Sequence, residues 1–193
     1  MKKLNINPQG IDMVFISHDH WDHTGGLLSF LQENPQVEVW LLDSFSPNLK
    51  NEVTRSGADL REVKGPSPVC PGAYSTGTLG AAIKEQSLVI EAGQGLVVIT
   101  GCAHPGVFDI IRLVKSSSNQ DIYLVMGGFH LLDLSPEELQ EIADRFKESG
   151  VKKVGPSHCS GDLCRKCFAQ EYGKDWIEVG VGKTISFPLK LKP

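Results

Sequence analysis

The sequence predicts an α/β domain, and three observations carry that prediction. Short apolar, β-branched runs recur along the chain, amphipathic helical patterns lie between them, and glycine, proline or polar residues bound each run. With 193 residues and 40% of them hydrophobic, one domain spanning residues 1–193 has material for a sizeable core.

Residues 13–17, MVFIS, read as a first buried strand and residues 37–42, VEVWLL, as a second, with the helical pattern GGLLSFLQEN between them. Residues 56–80 are rich in glycine, proline and serine and read as a long loop with short strands. LVVIT (96–100) and IYLVM (122–126) are two further buried strands, flanking the helix GVFDIIRLVKSS (106–117). The clearest helix is SPEELQEIADRFKESG (135–150). Ser135 is its N-cap, Pro136 its first residue and Glu138 the partner in a capping box; Leu139, Ile142, Ala143 and Phe146 share one face and Gly150 is the stop.

Composition excludes several classes. A formal net charge of −4 offers no broad basic surface for a phosphate backbone, so nucleic acid is not an expected partner. No apolar run approaches the roughly 18 residues of a membrane span, and no apolar segment follows Lys2 and Lys3, so no membrane association and a soluble, cytoplasmic protein are expected. The five cysteines, Cys70, Cys102, Cys159, Cys164 and Cys167, are an odd number and do not suggest a disulfide framework. Oligomeric state is not legible.

The chemistry lies in the histidines. All six, His18, His20, His23, His104, His130 and His158, follow predicted strand ends in turns of small residues: FISHDHWDHTGG, VVITGCAHPG, LVMGGFHLL and VGPSHCSGD. At that edge of an α/β sheet, loops converge and ligands bind. Leaving a strand, His18 and His20 project to one side, and Asp22 and His23 follow on the turn. That spacing supplies ligands for two adjacent ions, and imidazole with carboxylate suits divalent transition metals: zinc first, with iron or manganese as alternatives.

His18, His20, Asp22 and His23, followed by Gly25 and Gly26, resemble the His-x-His-x-Asp-His signature of the metallo-β-lactamase superfamily. TGCAHPG, MGGFHLL, PSHCSGD and EVGVGKTISF resemble its 7,8-dihydropterin-6-yl-methyl-4-(β-D-ribofuranosyl)aminobenzene-5'-phosphate synthase branch. The resemblance implies an αββα sandwich with a dinuclear site. His18, His20 and a downstream histidine, taken as His104, would hold one ion; Asp22, His23 and His158 would hold the other. Either His104 or Cys102 would occupy the bridging position. Superfamily members carry several strands before the signature, so this chain is expected to be N-terminally shortened and to lack its first strands.

Two such ions would lower the pKa of a shared water to about 7. Counting two ions, the one carboxylate of Asp22 and one hydroxide, the centre would keep about two positive charges, favouring an anionic and above all phosphorylated ester as its small-molecule substrate. Asp22 is also a candidate for orienting the nucleophile. His130, without a ligand role, is the candidate for binding the substrate anion or protonating the leaving group. Phe129 and Trp21 are candidates either for stacking on an aromatic substrate or for packing, and the CAHPGVF turn opens a helix that could receive an anion. Hydrolysis is the expected reaction, with the pterin transfer of the branch name as one alternative. A second alternative is a ferredoxin-like electron carrier: Cys159, Cys164 and Cys167 have Cys-x4-Cys-x2-Cys spacing, with Cys70 or Cys102 as a fourth thiolate. A binding module that retains the site without catalysis is a third.

Overall fold

A computed structural model describes residues 1–188. β1 (Met13–Phe15), β2 (Glu38–Leu42) and β3 (Asp59–Val63) form a parallel sheet in that order. Parallel neighbours require crossovers. The short α1 (Trp21–Thr24) and α2 (Leu27–Glu33) make the first, and α3 (Pro47–Arg55) makes the second. The Ser46 side chain caps α3 by accepting from the Leu49 N–H. Leu27, Leu31 and Val53 bury this helical layer against Val39, Leu41 and Leu42 of β2.

The second sheet runs β4 (Ser67–Cys70), β5 (Ala73–Ser75), β6 (Leu88–Ala92), β7 (Gly95–Thr100), β8 (Ile122–Gly128) and β9 (Lys153–Ser157). Its strands are antiparallel up to β7 and parallel from β7 to β9. α4 (Val107–Ser117) and α5 (Pro136–Glu148) are the parallel crossovers, and α6 (Asp162–Tyr172) follows β9. The continuous apolar run of β7 is explained by burial on both faces: Leu96 and Val98 enter the helix-covered core, while Val97 packs on the opposite face with Leu124, Ile177 and Phe187. Helices thus flank two sheets, the mixed α/β layering expected.

The four strands and three helices read from the sequence are all present. The segment 56–80 contains three short strands, β3, β4 and β5, as a loop with short strands should. β6 was not anticipated; it pairs with β7 across the tight turn at Gly93 and Gln94. α5 has the full capping box, with the Glu138 N–H donating to Ser135 Oγ and the Ser135 N–H to Glu138 Oε2. No helix among the described residues is long and apolar enough to cross a membrane.

The sheets are tied at one edge by Gln86, which is fully buried. Its Nε2 donates to Ile16 O at 2.8 Å, its backbone N–H donates to Ser17 O at 2.9 Å, and its Oε1 accepts from Ser75 Oγ at 2.7 Å. Beside it an apolar cleft of about 360 Å³, lined by Phe15, Ile16, Leu88 and Ile99, opens onto His23 and His158.

Under the second sheet the rings of Phe108, Phe129 and Phe168 lie 5.1–5.4 Å from that of Phe146, which is inaccessible to solvent. Phe146→Ala is expected to cost about 3–5 kcal/mol in urea unfolding, against about 1 kcal/mol for Ser135→Ala.

Candidate metal centre

Four strand ends deliver the six histidines to one place. β1 leads into the turn carrying His18, His20 and His23, β7 into Cys102 and His104, β8 into His130, and β9 into His158. The ring of His18 lies 4.6 Å from His20, 4.2 Å from His23 and 4.8 Å from His104. His104 lies 4.4 Å from His130, and His23 4.9 Å from His158.

The donor atoms sort into groups. His18, His20 and His104 each direct one toward a common point, with all three atoms within 4.8 Å of one another. Asp22, His23, His158 and Cys102 form a second group on the same criterion. Asp22 Oδ2 is 3.1 Å from His158 Nε2 and 3.4 Å from His23 Nε2, and Cys102 Sγ is 3.3 Å from His23 Nε2. The two residues left open for the bridging position therefore separate: His104 joins the first group and Cys102 the second.

Sequence reasoning missed the residue that holds this edge in place. Glu85 is buried, and its carboxylate accepts four consecutive backbone N–H groups: Oε1 from Gly101 (3.1 Å), Cys102 (2.9 Å) and Ala103 (2.9 Å), and Oε2 from His104 (2.9 Å). The same Oε2 is 4.0 Å from His18 Nδ1, which also shares a 2.9 Å hydrogen bond with Ser17 Oγ. With Nδ1 occupied, His18 presents Nε2 to the site, the arrangement by which outer partners orient metal-binding imidazoles. The one available signal was the polar pair Glu85-Gln86 just before the apolar run of β6.

Comparison with known proteins agrees with this geometry. Residues 2–72 match the β-lactamase superfamily domain. The crystal structure of Tm1679, a metal-dependent hydrolase of the β-lactamase superfamily, superposes with a TM-score of 0.78 at 28% identity, covering 96% of this chain and 82% of that one. The chain is thus similar in sequence and fold to metallo-β-lactamase superfamily proteins. A 7,8-dihydropterin-6-methyl-4-(β-D-ribofuranosyl)-aminobenzene-5'-phosphate synthase of Methanocaldococcus jannaschii is 29% identical, over 97% of this chain and 79% of its own. The metallo-β-lactamase fold protein YhfI of Bacillus subtilis shares the fold with a TM-score of 0.66 at 14% identity, covering 91% of this chain and 77% of its own.

Metallo-β-lactamase superfamily members are typically metal-dependent, and the donors gathered in this chain suit a cation. Burial pushes His18 down to about 4, against the pull of Glu85, so its imidazole is neutral at neutral pH. Burial also lowers His104, with His130 adding to the effect, and lowers His23 despite Asp22 beside it. For Asp22, burial acts upward but is outweighed by its backbone hydrogen bond and by His23 and His158, so the carboxyl stays below its ordinary value. His104 Nε2 is buried without a hydrogen-bond partner. Neutral imidazoles around an unpartnered buried nitrogen are what a divalent ion requires.

Cys159 Sγ lies 3.7 Å from Cys102 O. A hydrogen bond from the Cys102 thiol brings Cys159 down to about 5 against the effect of burial, with His130 adding to the shift; the same bond and burial raise Cys102. The cysteines that suggested an iron–sulfur carrier do not converge. Cys164 is buried in the core on α6, Cys167 contacts Gln140 Oε1 at 3.7 Å, and Cys70 is exposed on β4. No group of converging donors among the described residues holds three cysteines. The spacing of Cys164 and Cys167 reflects the core-facing side of α6, and Cys159 lies before that helix.

Two other expectations are corrected. Phe129 is 1% exposed and packs on Phe146 and Phe168, so it is core and unavailable for stacking; Trp21 is 84% exposed beside the site. The N–H groups of the turn before α4 do receive an anion, but it is the chain's own Glu85.

Glu85→Gln replaces one acceptor oxygen with a donor that faces amide hydrogens. Zinc affinity, measured by competition with a chromophoric chelator, is expected to fall about 10–100-fold. His18 has an ordinary value of 6.5 and a folded value of about 4, so the unfolded chain takes up its proton first as pH falls. In chelator, the thermal midpoint should therefore fall between about pH 6.5 and pH 4, and less steeply in His18→Gln.

Proposed function

We propose that the chain is a two-ion enzyme that hydrolyses a small, anionic, phosphorylated ester. His18, His20 and His104 would hold one ion, and Asp22, His23 and His158, with Cys102, the other. Zinc is the first choice for both. Bound divalent ions would supply Lewis acidity: they polarise a phosphoryl or acyl oxygen and make water available as hydroxide near neutral pH.

The observation that carries the reading is the charge balance of the donors. Four imidazoles, His18, His20, His23 and His104, crowd together, and the two groups contain one carboxylate, Asp22, and one thiol, Cys102. Two divalent ions facing one carboxylate and one thiolate keep about two positive charges, and about one once hydroxide has formed, which draws an anion to the rim. Asp22, exposed and held ionised by its neighbours, orients the attacking water from the mouth of the site. His130 is exposed beyond His104 and donates the proton to the departing oxygen. Glu85 fixes the positions of Cys102 and His104 without reaching substrate.

A second reading is favoured by the synthase of M. jannaschii, which is similar over almost the whole chain. There the same positive edge would bind the phosphate of a ribofuranosylaminobenzene while a dihydropterin is joined to it, with no net hydrolysis.

Zinc-loaded protein is expected to cleave a chromogenic phosphodiester, with turnover abolished in His20→Ala and restored by no added zinc concentration. In protein loaded with two equivalents of zinc, His130→Asn should lower kcat about 10²–10⁴-fold while both equivalents stay bound. Absence of phosphodiester, lactone and thioester cleavage by the loaded protein, together with product from an activated dihydropterin and ribofuranosylaminobenzene 5'-phosphate, would replace the hydrolase with the transferase.

A further inference from the structure

Cys102 is a member of two donor groups. Besides the Asp22, His23 and His158 group, its Sγ lies with Cys159 Sγ and a ring nitrogen of His130, the three atoms within 4.8 Å of one another. The first two groups are built from imidazole and carboxylate, with Cys102 the single thiol. This third one has two sulfurs and one nitrogen, a donor set that selects thiophilic ions. Zinc–sulfur bonds of about 2.3 Å and zinc–nitrogen bonds of about 2.0 Å fit between donors at this spacing after small side-chain adjustments.

The backbone is shaped to bring these donors together. Ala103 and His130 have φ of 60° and 54°, and His158, next to Cys159, has 50°, all values that L side chains rarely adopt. β8 passes so close to the thiol that a Cβ on Gly128 would lie 2.7 Å from Cys159 Sγ and 2.3 Å from Gly101 O. Only glycine admits Cys159 there. The members are graded in access: Cys102 is buried, Cys159 half-buried and His130 exposed, which leaves an approach from solvent and an open coordination position for water.

We propose that Cys102, Cys159 and His130 form a third cation position, specific for a thiophilic ion such as zinc, cadmium or cuprous copper. It rests on the two-ion reading only through the shared Cys102. Cys102 releases its thiol proton to solvent as the ion binds. Filling the position also engages His130, the proton donor of the proposed reaction, so the third ion is inhibitory.

The test is a titration of metal-free protein, reduced and anaerobic, with Cd²⁺. It is followed by the ultraviolet thiolate-to-cadmium charge-transfer band and by bound cadmium after gel filtration. Wild type is expected to take three equivalents and Cys159→Ser two, with the band reduced to about half as one of two thiolates is lost. His130→Asn, a residue that tolerates positive φ, should weaken the third equivalent about tenfold or more and leave the first two unchanged. Cys167→Ser should change nothing. Circular dichroism and retention of the first two equivalents establish that the variants fold. Equal stoichiometry and equal charge-transfer absorbance in wild type and Cys159→Ser would overturn the third position while leaving the two-ion reading standing. Uptake that is lost in Cys159→Ser but insensitive to His20→Ala supports the third position and removes the one assigned to His18, His20 and His104.

Discussion

The Glu85 carboxylate is the constraint on which the rest of this site depends. Four backbone N–H groups in succession, from Gly101 to His104, converge on its two oxygens. Hydrogen bonds to an ionised acceptor are among the stronger ones in proteins, and without this acceptor a buried turn would carry four unpaired donors. The turn therefore has one conformation, and Cys102 and His104 have fixed positions. Glu85 also approaches His18, while its neighbour Gln86 holds the backbone at Ile16 and Ser17. Two adjacent residues thus set the distance between the ligand loop after β1 and the ligand loop after β7.

Around that support the site departs from the rules that stabilise the rest of the fold. Imidazoles pack against each other, burial holds His18 neutral and lowers His104, one buried ring nitrogen has no partner, and three non-glycine residues sit at positive φ. Each departure has a cost in the folded chain. They cluster at one sheet edge, whereas the core beneath is ordinary: aromatic rings at edge-on contact distances under apolar strands. Conflict confined to one place is the pattern expected of a binding site.

Much of this was legible in the sequence, for identifiable reasons. The strands β1, β2, β7 and β8 are short apolar runs with clear punctuation, and α5 carries its own cap. The histidines could be placed because they are few and each follows a strand. Glu85 could not be found, because a glutamate between Lys84 and Gln86 looks solvated; its burial follows from a turn sixteen residues downstream. Phe129 could be read as packing or stacking; it packs, and the adjacent His130, in a left-handed conformation, is exposed while Phe129 is buried. The cysteine spacing on α6 was ambiguous for a related reason: i, i+3 positions on a helix serve a core face and a metal equally well, and burial of Cys164 decides between them.

The opening ligand run also bears on folding. His18, His20, Asp22 and His23 lie within six residues, so a denatured chain already offers them as a chelating peptide before any strand has paired. His104 and His158 join only after distant parts of the chain have closed large loops. Ions held at this site would therefore bind both ends of the folding equilibrium, and the thermal protection they would confer reflects the difference between a local chelate and a completed cage, smaller than native affinity alone would give.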